Sequence, residues 1–463
     1  MTPALLLCAA VSPGLGGGPG PRPRPDLPKP LFTAALGPDA DAGPFGRELF
    51  RPQSPQDFPT ATLTGLLQFD SVRFAQQDDS VAAVGDIEDG TAIRRTRLGG
   101  FGRAWEGVDY YVEVDFGLQG GTAIADAFMT LTDAVPGHDV RFGFIRQPVG
   151  MASRTGARVL PLLERPLPFA LQPFRQIGVN INGFDEEWGL SWEGAVFRFP
   201  SDSDGGVLGD RGGWSPAARL SALLLEDGPS DTVLHAGMSA ALLSPADDLI
   251  RYFSRPETFS PESRGIVATT GVRAIPPFVD TTPLAAERSH TFGLELAGRR
   301  GPAWFQAEYN AAALDPAEKS LSAEDATGPG GVLAPRSNAV FHGVHLTAGL
   351  FLTGEVKPYD LPTATFGRVD PDRDFSPKNG RWGAVEVLGR VSHLDLTDRA
   401  DDFEGVFGGE LTDLTVGLNW YLNPRAKFQL NYIRALLDDR LTGGAPGGRS
   451  DTDVFAVRAQ VDF

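Results

Sequence analysis

The sequence has one cysteine, no long apolar run and fewer basic than acidic residues. Cys8 is the only cysteine among 463 residues, which excludes an intrachain disulfide and a zinc site built from several cysteines. No run approaches the roughly 18 consecutive apolar residues of a transmembrane helix. Lysine and arginine number 41 against 59 aspartates and glutamates, a net charge of −18. Because nucleic-acid binding needs a clustered basic surface, this balance argues against DNA or RNA as a partner.

The N-terminal region differs in composition from the rest of the chain. Residues 1–12 contain a short apolar stretch, and we interpret them as a truncated signal peptide, with a disordered apolar terminus as the alternative. Residues 13–58 are rich in proline and glycine and are predicted to form a disordered linker. Residues 60–463 are predicted to be a single folded domain.

From residue 61 onward, apolar and polar residues alternate with a period of two, which is typical of β-strands with one apolar and one polar face. In DYYVEVDFG, for example, Tyr110, Val112 and Val114 share one face, while Asp109, Glu113 and Asp115 share the other. Sixteen such segments are predicted, at 61–74, 92–104, 109–116, 122–131, 139–147, 176–184, 188–199, 216–226, 231–243, 289–299, 302–312, 339–353, 382–394, 410–422, 425–435 and 452–463.

The connections between these segments are short in some places and long in others. Two to four residues separate some pairs, whereas 244–288 and 313–338 are long. Short turns on one rim and long loops on the other are expected of a transmembrane barrel, and lipid requires such a sheet to close. The many charged residues on the polar faces argue against the alternative, a soluble β-sandwich, whose core would have to bury them. We therefore predict an all-β fold, a transmembrane 16-stranded antiparallel β-barrel.

The segment between the fifth and sixth predicted strands is unusual in length and charge. Residues 138–178 carry six arginines against Asp139 and Glu164, a local charge of +4 within an acidic chain. Its prolines limit flexibility, and it carries bulky apolar side chains among its arginines. These are Leu160, Leu162, Leu163, Leu167, Phe169, Leu171 and Phe174. Because guanidinium groups stay charged and bind oxyanions through a fork of donors, this pattern indicates anion selectivity.

Several stretches taken together resemble the phosphate-selective porin family, the anion-specific porins O and P. They include RRTRLGGFG (94–102), YYVEVDFG (110–117), RFGFIRQPVGM (141–151), LLERPLPFALQPFRQIGV (162–179) and VGLNWYLNPRAKFQLNYIRA (416–435). The resemblance covers roughly residues 60–463. It implies a sixteen-stranded barrel that assembles as a homotrimer, with the third external loop folded inward as an eyelet. Such a loop is expected to anchor its seven apolar side chains named above on the barrel wall.

The resemblance also implies particular constriction residues. The paired arginines of the family match Arg94 and Arg95; because neighbouring strand residues face opposite ways, both reach the lumen only if the strand bends or ends there, and Arg97 is a competing candidate. The lumenal aspartate matches Asp126. The loop residues that match are Arg158 and the pair Glu164 and Arg165, and we add Arg154 and Arg73 as further candidates.

One departure from the family pattern limits the prediction of specificity. Where the family loop has two hydroxyl residues, this chain has Gly156 and Ala157. Charge attraction is kept but directional donors are lost, so the sequence predicts the sign of the preferred ion and leaves the choice between phosphate and other anions open.

These observations lead to an outer-membrane porin of bacteria that passes small hydrophilic solutes, anions in preference, by passive diffusion. No catalytic arrangement stands out, so we expect neither enzyme activity nor a cofactor. The expected partners are small anions, outer-membrane lipid and two further copies of the chain. Alternatives are a non-selective porin whose arginines are paired, and a structural or adhesive barrel with a plugged lumen.

Overall fold

The computed structural model describes residues 58–117, 122–200, 213–245, 248–259, 275–317, 338–398, 405–438, 441–442, 445–446 and 448–463. The predicted signal peptide and nearly all of the predicted linker lie outside these ranges. No helix in the described part of the chain is long and apolar enough to cross a membrane.

Sixteen long strands account for most of the described residues. They are β1 (Thr62–Gln76), β2 (Gly90–Trp105), β3 (Val108–Asp115), β4 (Ala123–Val135), β5 (His138–Arg146), β6 (Arg175–Asp185), β7 (Leu190–Arg198), β8 (Trp214–Asp227), β9 (Thr232–Leu243), β10 (Leu284–Arg300), β11 (Ala303–Pro316), β12 (Val340–Phe351), β13 (Ala384–Asp398), β14 (Val406–Asn423), β15 (Ala426–Asp438) and β16 (Ser450–Asp462). Each matches one predicted strand to within a few residues at either end.

The sheet closes into a barrel. Every strand pairs in antiparallel fashion with its neighbours in the sequence, and β16 pairs with β1 from Leu66↔Asp462 to Gln76↔Thr452. Closure leaves no free edge among these strands, which is the condition for backbone groups inside a lipid bilayer. The predicted 16-stranded antiparallel barrel is therefore confirmed.

The two faces of the barrel wall differ in polarity, as the alternation predicts. On β14, Val416 is 64% exposed on the outward face, whereas Asp413 and Thr415 are buried on the inward face. On β3, Val112 faces outward, and Asp109 and Glu113 are buried inside. An apolar outer surface over a polar interior is the arrangement expected of a barrel surrounded by lipid.

The connections contain the smaller elements. Helices α1 (Asp78–Val84) and α2 (Met151–Arg154) and short 3₁₀ helices at Leu167–Leu171, Gly228–Ser230 and Pro377–Asn379 lie between the long strands. Two-residue strands occur at Leu249–Ile250, Phe253–Ser254, Val279–Asp280, Tyr359–Asp360, Thr365–Phe366, Leu441–Thr442 and Ala445–Pro446. The connection 352–383 is long, although the other turns on its rim of the barrel are short. Arg219 of β8 donates hydrogen bonds to the carbonyl oxygens of Thr363 and Ala364 in this connection, at 2.9 Å each.

Apolar side chains of segment 147–174 pack in clusters with buried residues of the strands. All seven apolar side chains predicted as anchors in this segment are buried. Leu162 packs in a cluster with Trp304, Phe351 and Tyr421, and Leu163 packs with Ile433 and Val454. Each fully buried side chain of this size stabilises the arrangement by about 1.5–3 kcal/mol, so these contacts are a major part of what positions the segment.

Candidate functional site

Segment 147–174 is held to inward-facing side chains of many strands. Because it is rich in proline and apolar residues, much of its bonding passes through backbone carbonyl oxygens, which accept hydrogen bonds from the wall. Asn419 donates to Pro161 at 2.8 Å, Lys427 to Leu160 at 2.9 Å, Gln460 to Arg158 at 2.8 Å and Arg390 to Glu164 at 3.0 Å. These donors come from four neighbouring strands, β13 to β16.

The other end of the segment is fastened near α2. The backbone nitrogen of Ala152 donates to Glu308 Oε1 of β11 at 2.7 Å, and Arg154 Nη2 donates to Glu193 Oε1 of β7 at 2.8 Å. Gly150 precedes the helix with a φ of 73°, and a side chain there would meet Glu308. The segment is thus anchored on opposite parts of the wall.

Arg94 and Arg95 both face inward because β2 carries a β-bulge. Gln68 pairs with Arg95 and Phe69 pairs with Ile93, so Arg94 is an extra residue without an opposite on β1. Both guanidiniums bind Glu164: Arg94 Nε lies 2.7 Å from Oε1, and Arg95 Nη2 lies 3.1 Å from Oε2. The bend on which the prediction depended is therefore present, and it brings the two arginines to the loop.

A third arginine, Arg458 of β16, completes this cluster. Its Nη2 lies 3.1 Å from Glu164 Oε1, and its guanidinium also binds Asp70 of β1 through two bonds of 2.7 Å. Burial raises the pKa of Glu164, but Arg94, Arg95 and Arg458 outweigh it and lower that pKa to about 2. Among the described residues, three guanidiniums thus converge on the carboxylates of Glu164 and Asp70.

Arg158 belongs to a second cluster beside the first. Its Nη2 lies 2.5 Å from Glu113 Oε1 and 3.2 Å from the hydroxyl of Thr64. Arg97 approaches the same glutamate at 3.5 Å and binds Asp115 at 2.9 Å. In the described part of the chain, the guanidiniums of Arg97 and Arg158 thus meet the carboxylates of Glu113 and Asp115.

Asp126 anchors a third group. Arg175 binds it with two bonds of 2.9 and 3.1 Å, and Arg146 lies 3.7 Å away. Here too a bulge sets the orientation, because Glu113 pairs with Asp126 while Val114 pairs with Ile124. Two guanidiniums of the described residues thus converge on this one aspartate.

The remaining predicted residues have different surroundings. Arg154 is buried, which lowers its pKa to about 10 and still leaves it charged at neutral pH. Arg165 donates to the carbonyl oxygens of Ala152 at 3.0 Å and Thr155 at 2.7 Å, and it lies 4.6 Å from the centre of the Phe174 ring. These contacts stabilise the segment itself.

Arg73 does not join the other predicted residues. It shares the outward-facing parity of Leu67 and Phe69, its side chain is 78% exposed, and its Nε lies 3.8 Å from Asp89. The prediction of Arg73 as a further constriction residue is corrected accordingly.

Sequence reasoning missed the residues that hold these arginines. Asp70, Glu193 and Arg458 were not singled out, although each lies on the polar face of an alternating strand. Parity alone could have placed them inside. It could not have paired Arg458 with Asp70, because 388 positions separate these two residues.

Comparisons with known proteins agree in pointing to one family. A family model described as phosphate-selective porin O and P matches residues 64–463. Porin O of Pseudomonas aeruginosa is 26% identical over 430 residues, which cover 87% of this chain and 88% of that protein. An uncharacterized protein of Caulobacter vibrioides is 28% identical over 390 residues, covering 81% of this chain and 68% of that protein.

Solved structures of similar architecture are outer-membrane channels. An anion-selective porin from Comamonas acidovorans aligns with a TM-score of 0.49 and 13% identity over 87% of this chain and 99% of that chain. The outer membrane channel DcaP of Acinetobacter baumannii aligns with a TM-score of 0.47 and 12% identity, over 87% of this chain and 97% of that one. The family model covers most of the chain, including every strand of the barrel. The protein is therefore a porin of the bacterial outer membrane, a channel and not an enzyme, and it belongs to the phosphate-selective porin O and P family.

Proposed function

We propose that this porin conducts small anions in preference to cations, through a constriction formed by segment 147–174 folded into the lumen. The observation that carries the proposal is the convergence of guanidinium groups on Glu164 and Asp126. Basic groups at a narrow point favour anions and repel cations. The chain as a whole carries a net charge of −18, opposite in sign to the charge of +4 on residues 138–178.

A less selective channel is the second candidate, and a specific observation favours it. Arg158 and Arg154 each bind a carboxylate of the wall, Glu113 and Glu193. A guanidinium neutralised in this way attracts a passing anion less. The two candidates therefore differ in how strongly the arginines of the constriction attract a passing anion.

Reconstitution into a planar bilayer under a potassium chloride gradient tests the proposal. We expect a reversal potential on the anion side, and we expect Arg158→Ala to move it toward the cation side because Glu113 then faces Arg97 alone. A wild-type reversal potential on the cation side would refute the preference for anions. Absence of conductance would instead favour a plugged barrel.

We further propose that the channel forms a homotrimer surrounded by outer-membrane lipid, as the family implies. The exposed apolar side chains of the outer wall support a lipid environment. Chemical cross-linking in membranes should give a species of three chains. A protein that cross-links no further than the monomer would contradict the trimer.

A further inference from the structure

Glu308 of β11 is a buried carboxylate that contacts the first part of segment 147–174. Its Oε1 accepts hydrogen bonds from the backbone nitrogen of Ala152 and from the side chain of Gln306, at 2.7 Å each. His345 lies directly opposite on β12, with its Nε2 3.4 Å from the same oxygen, and both side chains are 1% exposed. An imidazole is thus the basic group that faces this carboxylate.

The charge of Glu308 depends on His345 for compensation. Among the described residues, His345 is the only basic side chain within ion-pair distance of Glu308. Glu295, opposite Glu308 on β10, differs because Arg219 binds it through two bonds of 2.7 and 2.9 Å. When His345 is neutral, the buried carboxylate of Glu308 therefore lacks a counter-ion, which is an unfavourable state.

The two side chains also leave hydrogen-bonding capacity unused. In the part of the chain that the structure describes, His345 Nε2 and Glu308 Oε2 are buried without a hydrogen-bond partner. The other ring nitrogen, Nδ1, lies 3.5 Å from the hydroxyl oxygen of Thr347, which accepts a hydrogen bond from Arg390 at 2.9 Å. A second proton on the ring makes both nitrogens donors. Protonation of His345 therefore favours a charge-assisted bond to Glu308.

We propose that His345 and Glu308 form a proton-dependent ion pair that makes the channel more selective for anions at acidic pH. The inference rests on the proposed anion conduction and identifies a residue that regulates it. With a neutral His345, the carboxylate of Glu308 adds a negative charge next to segment 147–174 and repels anions. With a protonated His345, the two charges cancel, and the arginines of the segment attract anions with less opposition.

Other charged groups face this region from the neighbouring elements. Arg390 of β13 binds Glu257 at 2.8 Å, and Asp413 of β14 accepts a hydrogen bond from the backbone nitrogen of Glu257 at 2.8 Å. Arg165 donates to a backbone carbonyl oxygen of its own segment at 3.0 Å. Histidine is the side chain that ordinarily changes charge between about pH 5 and 8. Substitution of His345 therefore separates its titration from that of these groups.

The pH dependence of ion selectivity tests the inference, with chloride and potassium as the probe ions. In planar bilayers at low ionic strength, which limits screening, we expect the chloride-to-potassium permeability ratio of the wild type to rise by about twofold from about pH 8 to about pH 5. One unit charge acting through roughly 10 Å of water supports a change of that size. A ratio that stays constant or falls over this range would overturn the inference.

Two substitutions distinguish the partners of the pair. His345→Gln should keep the lower, alkaline ratio of the wild type over the whole range. Glu308→Gln retains an acceptor for Ala152 but removes the charge, so its ratio at alkaline pH should already reach the value that the wild type attains at acidic pH. If the pair were only structural, both variants would change the conductance but keep the wild-type pH profile, and the inference would be refuted. If one variant does not fold, the other still decides between these outcomes.

His235→Gln is the matched control. His235 of β9 is also a buried histidine beside a glutamate, with its Nε2 3.3 Å from Glu295 Oε2. Because Arg219 already binds that glutamate, the wild-type pH profile should persist in this variant. Loss of the profile in both histidine variants would indicate general histidine titration and would overturn the inference. A wild type that is cation-selective at every pH would refute the proposed function, whereas an anion-selective wild type with a flat profile would refute the inference alone.

Discussion

At the scale of single residues, Asp126 shows how a buried carboxylate of β4 joins the neighbouring strands β5 and β6. Its carboxylate accepts two bonds from Arg175 and lies near Arg146, and all three side chains are buried. In such a group, removing the carboxylate costs more than the pair itself contributes, because two buried guanidiniums lose a counter-ion.

We therefore expect Asp126→Asn to lower the free energy of unfolding by about 3–5 kcal/mol. Urea titration in detergent, followed by the gel shift between folded and unfolded bands, measures the change. Arg73→Ala is the control, since an exposed pair at 3.8 Å should contribute no more than about 1 kcal/mol. If Asp126→Asn were as stable as the control variant, the buried cluster would contribute little to the free energy of unfolding.

At the scale of elements, segment 147–174 combines features that the sequence revealed with others that it concealed. Its apolar anchors and its reversed charge were readable, because composition alone carries them. The bulge that turns Arg94 inward was not, since it depends on the register between β1 and β2. Nor was the position of Glu164 among three arginines, because the strands that supply them meet only when the barrel closes.

The fastening of this segment should depend on pH in a defined direction. The pKa of Glu164 in the folded protein, about 2, lies below its ordinary value of 4.5. The stability contributed by the ionised carboxylate is therefore fully present above about pH 4.5 and is lost as the pH falls through about 2.

Unfolding temperatures of the wild type and Glu164→Gln, measured between pH 7 and pH 2, should show this window. We expect a constant difference at pH 5 to 7 and a shrinking difference below pH 4.5. A difference that vanishes already near pH 6 would mean that another group, and not Glu164, controls the fastening.

At the scale of the whole molecule, the alternation of apolar and polar residues predicted the barrel almost completely. Sixteen segments with one apolar face cannot all be buried in a water-soluble fold that must also bury their charged faces. The contents of the lumen were harder to predict. Connection 352–383 packs against inward-facing side chains such as Trp304 and Arg219 from the rim of short turns, and those contacts depend on three-dimensional proximity alone.

The apolar outer wall should tolerate charge poorly. Val416 lies in the middle of an outward-facing run on β14, between Leu414 and Leu418. We expect Val416→Arg to lower the free energy of unfolding in lipid by about 2–4 kcal/mol, the cost of placing a charge near the centre of a bilayer. Val416→Leu, measured by the same titration, should be close to the wild type, and an arginine variant of equal stability would place this face away from lipid.

The bond between Arg458 and Asp70 joins the last strand of the barrel to the first. The same guanidinium binds Glu164, so the pairing of β16 with β1 and segment 147–174 share one side chain. Because 388 positions separate Arg458 from Asp70, this contact closes a very long loop. Contacts between residues so far apart in the sequence slow folding. We therefore expect closure of the barrel and placement of segment 147–174 to be coupled during folding, because both depend on the side chain of Arg458.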